Sequence, residues 1–165
     1  MSDQQGAGKA PPEPQEAATF QIEKIYVKDL SLEIPHAPQI YAEQVQPQIE
    51  VRIDSGQSAF ASGYYEVTLS VTVTARAGER TVFLAEAVQA GIFAVRNVPE
   101  AELGPLLGIA CPSVLFPYAR ETISDVITRG GFPPLILTPI SFEQLYVERM
   151  QQQALAADGR PVTAG

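Results

Sequence analysis

The chain has 165 residues, of which 45% are apolar, and this length and composition are typical of one domain with a packed core. The formal net charge is -8 at pH 7, which disfavours nucleic acid and anionic membranes as partners because both would repel it. No uninterrupted stretch of about 18 uncharged apolar residues occurs, so we expect no membrane-spanning helix.

Both ends of the chain differ in composition from its middle. Residues 1–18 are rich in proline, glycine, glutamine and alanine, and we predict a disordered N-terminal tail. The opening "MSDQQGAGKAPPEP" lacks the charged-then-apolar pattern of a signal peptide. The single cysteine, Cys111, suits a reducing compartment. We therefore expect a cytoplasmic protein with a folded domain over 19–153 and a flexible C-terminal tail over 154–165.

Four segments have the residue pattern of β-strands. "FQIEKIYVKDL" (20–30) fits a strand that is kinked near its middle, and "QIEVRID" (48–54) alternates apolar and charged residues. "YEVTLSVTVTARA" (65–77) alternates most regularly, with valine and leucine on one face and threonine and serine on the other. The short turn "AGER" joins it to "TVFLAEAVQAGIFAV" (81–95), so we expect these two strands to be antiparallel.

The last of these strands is largely apolar on both faces. One face carries Phe83, Ala85, Ala87 and Gln89, and the other carries Leu84, Glu86 and Val88. A strand of this kind is normally covered on both faces. Helices of the same chain would cover only one face, so we expect a contact with another subunit.

The segment "SLEIPHAPQIYAEQVQP" (31–47) contains three prolines, which exclude a regular helix or a central strand. We predict an extended loop, and loops of this length often bind a partner. Its residues Tyr41 and Val45 are apolar, as are Phe132, Phe142 and Tyr146 near the last predicted helix. Together they indicate an apolar groove between the loop and that helix.

The remainder of the sequence has helical patterns. "PEAELGPLLGI" begins with a proline and acids, which favour a helix start. The next helix has apolar residues at helical spacing, with Pro117 predicted in its first turn and Gly130 as its left-handed cap. The last helix starts with a capping box of Ser141 and Gln144. Strands followed by helices predict an α+β domain with helices packed on an antiparallel sheet.

No grouping of residues suggests catalysis. The only histidine, His36, has no cysteine or histidine partners for a metal site, and Cys111 is interpreted as a small buried hydrophobe. Glu121 and Asp125 lie one helical turn apart and are expected on a solvated face. We therefore expect a protein that is not an enzyme and has no catalytic residue, metal or cofactor. Two further classes stay open as alternatives. One is a binding protein for one hydrophobic ligand or partner, and the other, placed third, is an enzyme.

Several segments together resemble the SecB family of protein-export chaperones over residues 20–153. They are "FQIEKIYVKDLSLEIPHAP", "YEVTLSVTVTA", "TVFLAEAVQAGIF", "LGIACPSVLFPYARETISDVITRGGFPPL" and "PISFEQLY". The resemblance implies a four-stranded antiparallel sheet with helices and a cytoplasmic homotetramer built as a dimer of dimers. It also implies binding of unfolded precursor proteins without ATP, and their delivery to SecA for export. No nucleic acid and no direct membrane insertion are expected.

The resemblance also implies roles for individual residues. Those that match the SecA-binding positions of the family are Asp29, Glu33, Leu84 and Glu86. Those expected in the client groove are Tyr41, Val45, Phe83, Phe142 and Tyr146. Those that match positions affecting assembly are Tyr26, Ala85, Ala87 and Gln89.

The sequence departs from the family pattern at two places. Val45 stands where the family commonly has tryptophan, and the chain has no tryptophan, so the groove is expected to be less aromatic. The tail "ALAADGRPVTAG" lacks the acidic character of some members.

The alternative is an oligomeric binding protein for a hydrophobic ligand or dedicated partner, without an export role. A chaperone would bind several unrelated unfolded chains, whereas such a protein would not.

Overall fold

The computed structural model describes residues 12–159, and its four strands form one antiparallel sheet. The strands are β1 (Thr19–Glu33), β2 (Gln48–Ala61), β3 (Tyr64–Ala77) and β4 (Arg80–Arg96). Their order in the sheet is β1-β4-β3-β2, which confirms the predicted α+β class and the antiparallel pairing of β3 with β4. The parts of the predicted tails that fall on residues 1–11 and 160–165 lie outside the described residues.

The edge strands differ in detail from their predictions. β1 is irregular in its pairing with β4 between Ile22 and Lys24 and between Val27 and Asp29, and these bulges confirm the predicted kink. β2 is longer than predicted, since it pairs with β3 as far as Ala61. Its second half, "SGQSAFA", is polar or small except for Phe60, so alternation gave no signal there although the backbone continues the ladder.

The helices are α1 (Glu100–Pro105), α2 (Cys111–Arg129) and α3 (Phe142–Ala157), and a π-helical turn joins α1 to α2. Pro117 lies inside α2, so the prediction that it occupies the first turn is wrong. Burial of Cys111 and Leu115 against the sheet offsets the one backbone hydrogen bond that Pro117 cannot donate.

α3 begins as its sequence predicts. The Ser141 side chain accepts a hydrogen bond from the Gln144 backbone N–H at 3.2 Å, as an N-cap residue does. The Gln144 side chain instead donates to Glu148 at 3.2 Å, so only one half of the predicted capping box is present. α3 ends at Ala157 and therefore continues into the predicted tail.

α2 ends in a Schellman motif. Gly130 retains a right-handed φ of -74°, whereas Gly131 has a φ of +83°. The Gly131 N–H donates to the Thr128 carbonyl at 2.9 Å, and the Phe132 N–H donates to the Ile127 carbonyl at 3.4 Å. The prediction of Gly130 as the left-handed residue is therefore wrong by one position, because the second glycine supplies the positive φ.

α2 packs on the middle of the sheet. Leu115, Ala119, Ile123 and Ile127, at four-residue spacing, are each fully buried. Opposite them, the predicted apolar face of β3 is buried from Val67 to Ala75. Tyr118, which shares the predicted apolar pattern of α2, is exposed, so the buried stripe is narrower than the sequence indicated.

The fully buried thiol of Cys111 belongs to this core. Burial raises its pKa to about 12, which keeps the thiol protonated and unreactive at neutral pH. This confirms its interpretation as a small hydrophobe.

The continuous helical segment Glu100–Arg129 has an 18-residue window with a mean hydropathy of 1.2. By length and composition alone it reaches what a membrane-spanning helix requires, a test that core helices of soluble proteins also pass, so the expectation of no membrane-spanning helix stays a prediction. Residues 103–119 carry no charge, but glycine, proline and serine interrupt their apolar pattern. The packing of the segment on β3 and β4 through α2 is that of a core helix.

Replacing Gly131 with alanine should lower the free energy of unfolding by about 1–2 kcal/mol, because an L-residue is strained at this φ. A Cβ there would lie 3.4 Å from the Tyr41 ring, an ordinary contact, so the loss would come from the backbone. Gly131→Asn should lose less, since asparagine tolerates the left-handed region. Urea unfolding measures both, and an alanine variant as stable as the wild type would contradict the assignment.

Candidate functional site

The two faces of the sheet have different surroundings. Side chains of odd-numbered residues from Ala85 to Phe93 in β4 point towards α2, and those of Leu84, Glu86 and Val88 point away from it. The first set lies on the helix face of the sheet, and the second lies on what we call the outer face. Each face presents a candidate site.

α2 is too narrow to cover the whole helix face. On β2, at one sheet edge, Ile49 remains 43% exposed and Val51 40% exposed, although both point to the helix side through their pairing with Ala75 and Val73. α3 lies along this edge and leaves a groove between itself and β2. The side chains that line this groove are Val51, Ile53, Ile140, Ser141, Leu145, Tyr146 and Arg149.

α3 is seated by a close contact with the preceding helical segment. The Tyr146 ring lies over Gly104 and Gly108, where an added Cβ would be 2.8 Å from Tyr146 Oη and 2.5 Å from Tyr146 Cδ2, respectively. Arg149 Nη1 donates to the Ser55 carbonyl at 3.0 Å and to Ser55 Oγ at 3.2 Å. These contacts hold α3 beside β2 and set the width of the groove.

An aromatic cluster lies at the other end of the helix face. The Phe132 ring centroid is 4.7 Å from that of Phe83 and 5.6 Å from that of Tyr41. Phe83 shares a row of the sheet with Ala75 and Ile49, so the cluster continues the apolar surface of the β2 edge. Tyr41 also donates a hydrogen bond to the Gly130 carbonyl at 2.7 Å.

The loop that carries Tyr41 contains a short 3-10 helix, Gln39–Ala42, and is anchored by an ion pair. Arg80 Nη1 donates to Glu43 Oε1 at 3.1 Å, and the second guanidinium nitrogen contacts the other carboxylate oxygen. The hydrogen bond from Arg80 holds the pKa of Glu43 below its usual value. Ile40 is buried, so the loop closes part of the core as well as bordering the groove.

The residues predicted for the client groove fall at two places. Tyr41, Val45 and Phe83 belong to the loop end, and Phe142 and Tyr146 belong to α3. Phe83 and Phe142 are almost fully buried, so neither presents free surface in this structure. Ile49, Val51 and Leu145 were not predicted from the sequence, and their exposed side chains lie between the two places. The apolar-charged alternation of β2 was the signal that could have identified Ile49 and Val51.

The outer face brings together the residues matched to SecA binding. Glu33 pairs with Leu84, Ser31 pairs with Glu86, and Asp29 pairs with Val88, so all four matched residues share one face at the same end of the sheet. The same three rows continue across the threonine and serine side chains of β3 to Glu50, Arg52 and Asp54 of β2. Arg52 is the only basic residue at these twelve positions, so this part of the face is acidic.

The residues matched to assembly do not share a face. Ala85, Ala87 and Gln89 are buried beneath α2 of the same chain. Gln89 donates to the Tyr26 carbonyl at 3.1 Å and accepts from Thr122 Oγ1 at 3.1 Å, which satisfies its buried amide. The three residues therefore make no surface of their own, and an effect on assembly would act through the position of α2.

Tyr26 has its side chain on the outer face, beside Glu66. Its hydroxyl donates to Glu66 Oε2, and Lys28 Nζ lies 2.5 Å from Glu66 Oε1. The hydrogen bond to Glu66 raises the pKa of Tyr26 to about 12. The hydrogen bonds from Lys28 and then Tyr26 lower the pKa of Glu66. This cluster ties β1 to β3 across β4.

Among residues 12–159, no group of three or more His, Cys, Asp or Glu side chains is arranged to hold a metal ion, and His36 is exposed. An antiparallel sheet with one helical layer, an apolar groove along one edge and an acidic opposite face defines a protein that binds other chains.

Comparison with known proteins identifies the family. The family model described as "Preprotein translocase subunit SecB" matches residues 13–153. The protein-export protein SecB of Chromobacterium violaceum is 56% identical over 139 residues, covering 84% of this chain and 93% of that protein. The SecB of Dechloromonas aromatica is 53% identical over 150 residues, covering 91% and 99%. The chain belongs to the SecB family of protein-export chaperones, as its sequence indicated.

A solved structure has the same fold. The SecB-like chaperone Rv1957 of Mycobacterium tuberculosis, in complex with a ChAD peptide from the HigA1 antitoxin, superposes with a TM-score of 0.61. The two sequences are 20% identical, and the match covers 73% of this chain and 90% of that one. The protein-export relatives, at 56% and 53% identity, favour the export-chaperone interpretation over a binding protein without an export role.

Gly108→Ala should lower the free energy of unfolding by about 1–3 kcal/mol, because the added methyl group overlaps the Tyr146 ring. In a Tyr146→Ala background the same change should be neutral or slightly stabilising, since alanine is the better helix former. Urea unfolding of the four proteins gives this coupling. An equal loss in both backgrounds would show that the Tyr146 ring is not what limits residue 108.

Proposed function

We propose that this protein is an ATP-independent holdase that binds unfolded precursor proteins in the cytoplasm and passes them to SecA. The exposed apolar groove between β2 and α3 carries the proposal. Val51 and Leu145 are about two-fifths exposed there, as is Ile49, the neighbouring helix-face residue of β2, next to the open edge of the sheet. An extended chain with apolar side chains fits such a surface, whereas a folded protein has already buried those side chains.

The affinity of a single contact in this groove is limited. One fully buried apolar side chain contributes about 1.5–3 kcal/mol, whereas association costs on the order of 4–15 kcal/mol in lost freedom of motion. A few contacts from one segment therefore give weak binding. Tight holding requires many segments of one client bound at once, so several copies of the groove should act together.

A homotetramer, built as a dimer of dimers, would supply those copies. Two apolar surfaces support assembly. The helix face of β1 leaves Phe20, Ile22, Val27 and Leu30 exposed, and Tyr118 and Ile136 are exposed beside α2. Closed symmetric assembly is the usual way to cover such surfaces. Ala85 and Ala87 are buried in the core of the subunit. A charge at either position would destabilise the fold itself, so it would be a poor test of assembly.

The acidic end of the outer face is the proposed SecA site. Asp29, Glu33 and Glu86 are exposed around the partly buried Leu84. Acids on a flat face steer a basic partner towards it, and an adjacent apolar side chain adds contact area. The outer face and the groove lie on opposite sides of the sheet, so a bound client would leave the acids accessible to SecA.

Replacing Ile49 and Val51 by threonine and Leu145 by glutamine should abolish suppression of aggregation, because the groove loses its exposed apolar side chains. Light scattering of several unrelated proteins, diluted from denaturant without ATP, measures this activity. The matched control is Phe60→Thr, Val147→Gln and Met150→Gln, which changes exposed apolar residues outside the groove. Normal activity of the groove variant, at unchanged mass, would place client binding elsewhere.

Neutralising Asp29, Glu33 and Glu86 to their amides should greatly weaken binding to purified SecA, with no change in molecular mass or client holding. The wild-type interaction should also weaken as salt rises, because exposed charges are screened. The control variant neutralises Glu13, Glu23 and Glu121, which are exposed elsewhere and change the net charge equally. Calorimetric titration compares the three proteins, and equal affinity in all would contradict the proposed site.

A further inference from the structure

A second exposed cluster lies at the end of the sheet opposite the acids. A bulge in β2 inserts Phe60 between Ala59 and Ala61, and the side chain of Phe60 is 57% exposed. Its ring centroid lies 6.1 Å from that of Tyr64, and the guanidinium carbon of Arg96 lies 5.8 Å from the same Tyr64 centroid. We call Phe60, Tyr64 and Arg96 the hairpin cluster, because they lie beside the turn between β2 and β3.

Strand pairing places this cluster on the outer face. Tyr64 pairs with Ala94, which points away from α2 like the other even-numbered residues of β4. Lys24 pairs with Ile92 and therefore lies on the same face. The row of Glu86 and the row of Ala94 are eight residues apart in β4, or roughly 26 Å. This separation exceeds the Debye length of about 8 Å at physiological salt, so the two ends of the face act on a partner independently.

The charge at the hairpin end is positive, although the chain as a whole has a net charge of -8. Within residues 12–159, neither Lys24 nor Arg96 forms an ion pair. Glu66, which also lies on this part of the face, is paired with Lys28. Among the described residues the Arg96 guanidinium donates only to Tyr64 Oη, at 3.4 Å. Most of its N–H groups are therefore available to a carboxylate.

The hairpin cluster is held in place by its own chain. Gly63, in the turn between β2 and β3, adopts a φ of +75°, and its carbonyl accepts a hydrogen bond from the Val95 N–H at 2.8 Å. This bond ties the turn to the end of β4, next to Arg96. The Arg96 side chain is further restrained by the Tyr64 ring, so binding costs little additional ordering. Aromatic residues and arginine are also the side chains that most often dominate protein interfaces.

The position of the cluster favours the partner of the acidic end over a client. The client groove opens on the helix face between β2 and α3, whereas the hairpin cluster and the acids share the outer face. The separation of roughly 26 Å along the strands is less than the diameter of a small domain, about 30 Å. One partner domain docked on the acids can therefore also reach Arg96.

We propose that the hairpin cluster is a second contact for SecA and binds a SecA segment that carries a carboxylate next to an apolar side chain. This inference rests on the proposed delivery of clients to SecA. The carboxylate pairs with Arg96, and the apolar side chain packs on Phe60. The acidic end attracts a basic region of the same partner, and the hairpin end repels such a region. Opposite charges at the two ends therefore favour one orientation of SecA along the strands and disfavour the reverse.

Combining Phe60→Ala with Arg96→Gln should weaken binding to purified SecA on the order of three- to tenfold, because both contacts of the cluster are lost. The direction of this change is diagnostic. Removal of a cation makes the chain more acidic, so general attraction to a basic surface predicts tighter binding instead. The matched control, Arg129→Gln with Val147→Ala, removes an exposed cation and an exposed apolar side chain elsewhere. It should bind as tightly as the wild type or slightly more tightly. Calorimetric titration at fixed salt compares the three proteins.

A photo-crosslinking residue at position 60 identifies what occupies the cluster. Phe60→benzoylphenylalanine keeps an aromatic ring there, and irradiation should join it to a SecA segment that contains aspartate or glutamate. Val51→benzoylphenylalanine places the same group on the helix face of the same strand, so it should react with an unfolded client and not with SecA. Reaction of position 60 with a client or with a second copy of the chain, but not with SecA, would overturn the inference.

The outcomes separate this inference from the proposed function. The inference alone fails if neutralising Asp29, Glu33 and Glu86 weakens SecA binding while the variant with Phe60→Ala and Arg96→Gln binds SecA as tightly as its control. The hairpin end would then make no contact with a SecA molecule bound at the acids. A wild type that does not bind SecA would overturn the proposed delivery and the inference with it.

Discussion

The structure depends on one mismatch of width: a single helix, α2, packs on a four-stranded sheet whose helix face is largely apolar and wider than the helix. β3 and β4 lie beneath the helix and are buried on that face. The edge strands β1 and β2 extend beyond it, and their apolar side chains stay exposed. The groove on β2 and the uncovered strip on β1 both follow from this mismatch.

Small residues determine how closely the helices approach the sheet and each other. A Cβ at Gly91 of β4 would lie 3.0 Å from Leu115 Cδ2, so glycine lets α2 settle on the sheet at that row. Gly104 and Gly108 accept the Tyr146 ring in the same way. Close packing at these points fixes α2 and α3, and the buried side chain of Leu137 anchors the irregular segment between them. These contacts position the groove.

The two-residue period of the strands separates the two proposed binding surfaces. Leu84 and Glu86 face away from α2, and Ala85 between them faces towards it. Apolar side chains can therefore be collected on the helix face without diluting the acids on the outer face. Substitutions on one face leave the other almost unchanged, which is why client holding and SecA binding can be tested independently of each other.

Alternation and turn length were sufficient to predict the central strands and their pairing. Local spacing alone determines which residues of β3 share a face, and the short turn determines that β3 and β4 are antiparallel. The same local rule, applied to matched residues, predicts that Leu84 and Glu86 share a face.

Alternation cannot say which face a helix covers, so Ala85, Ala87 and Gln89 were matched to assembly although α2 buries them. Pro117 within a helix was missed for a related reason, since burial of its neighbours against the sheet keeps α2 helical around it. The cap at Gly131 was missed because two glycines follow each other and the second supplies the positive φ. The sequence by itself determined the class of fold, the family and the pairing of the central strands. The tertiary structure alone decided which apolar residues remain exposed, because exposure depends on how much of the sheet one helix can cover.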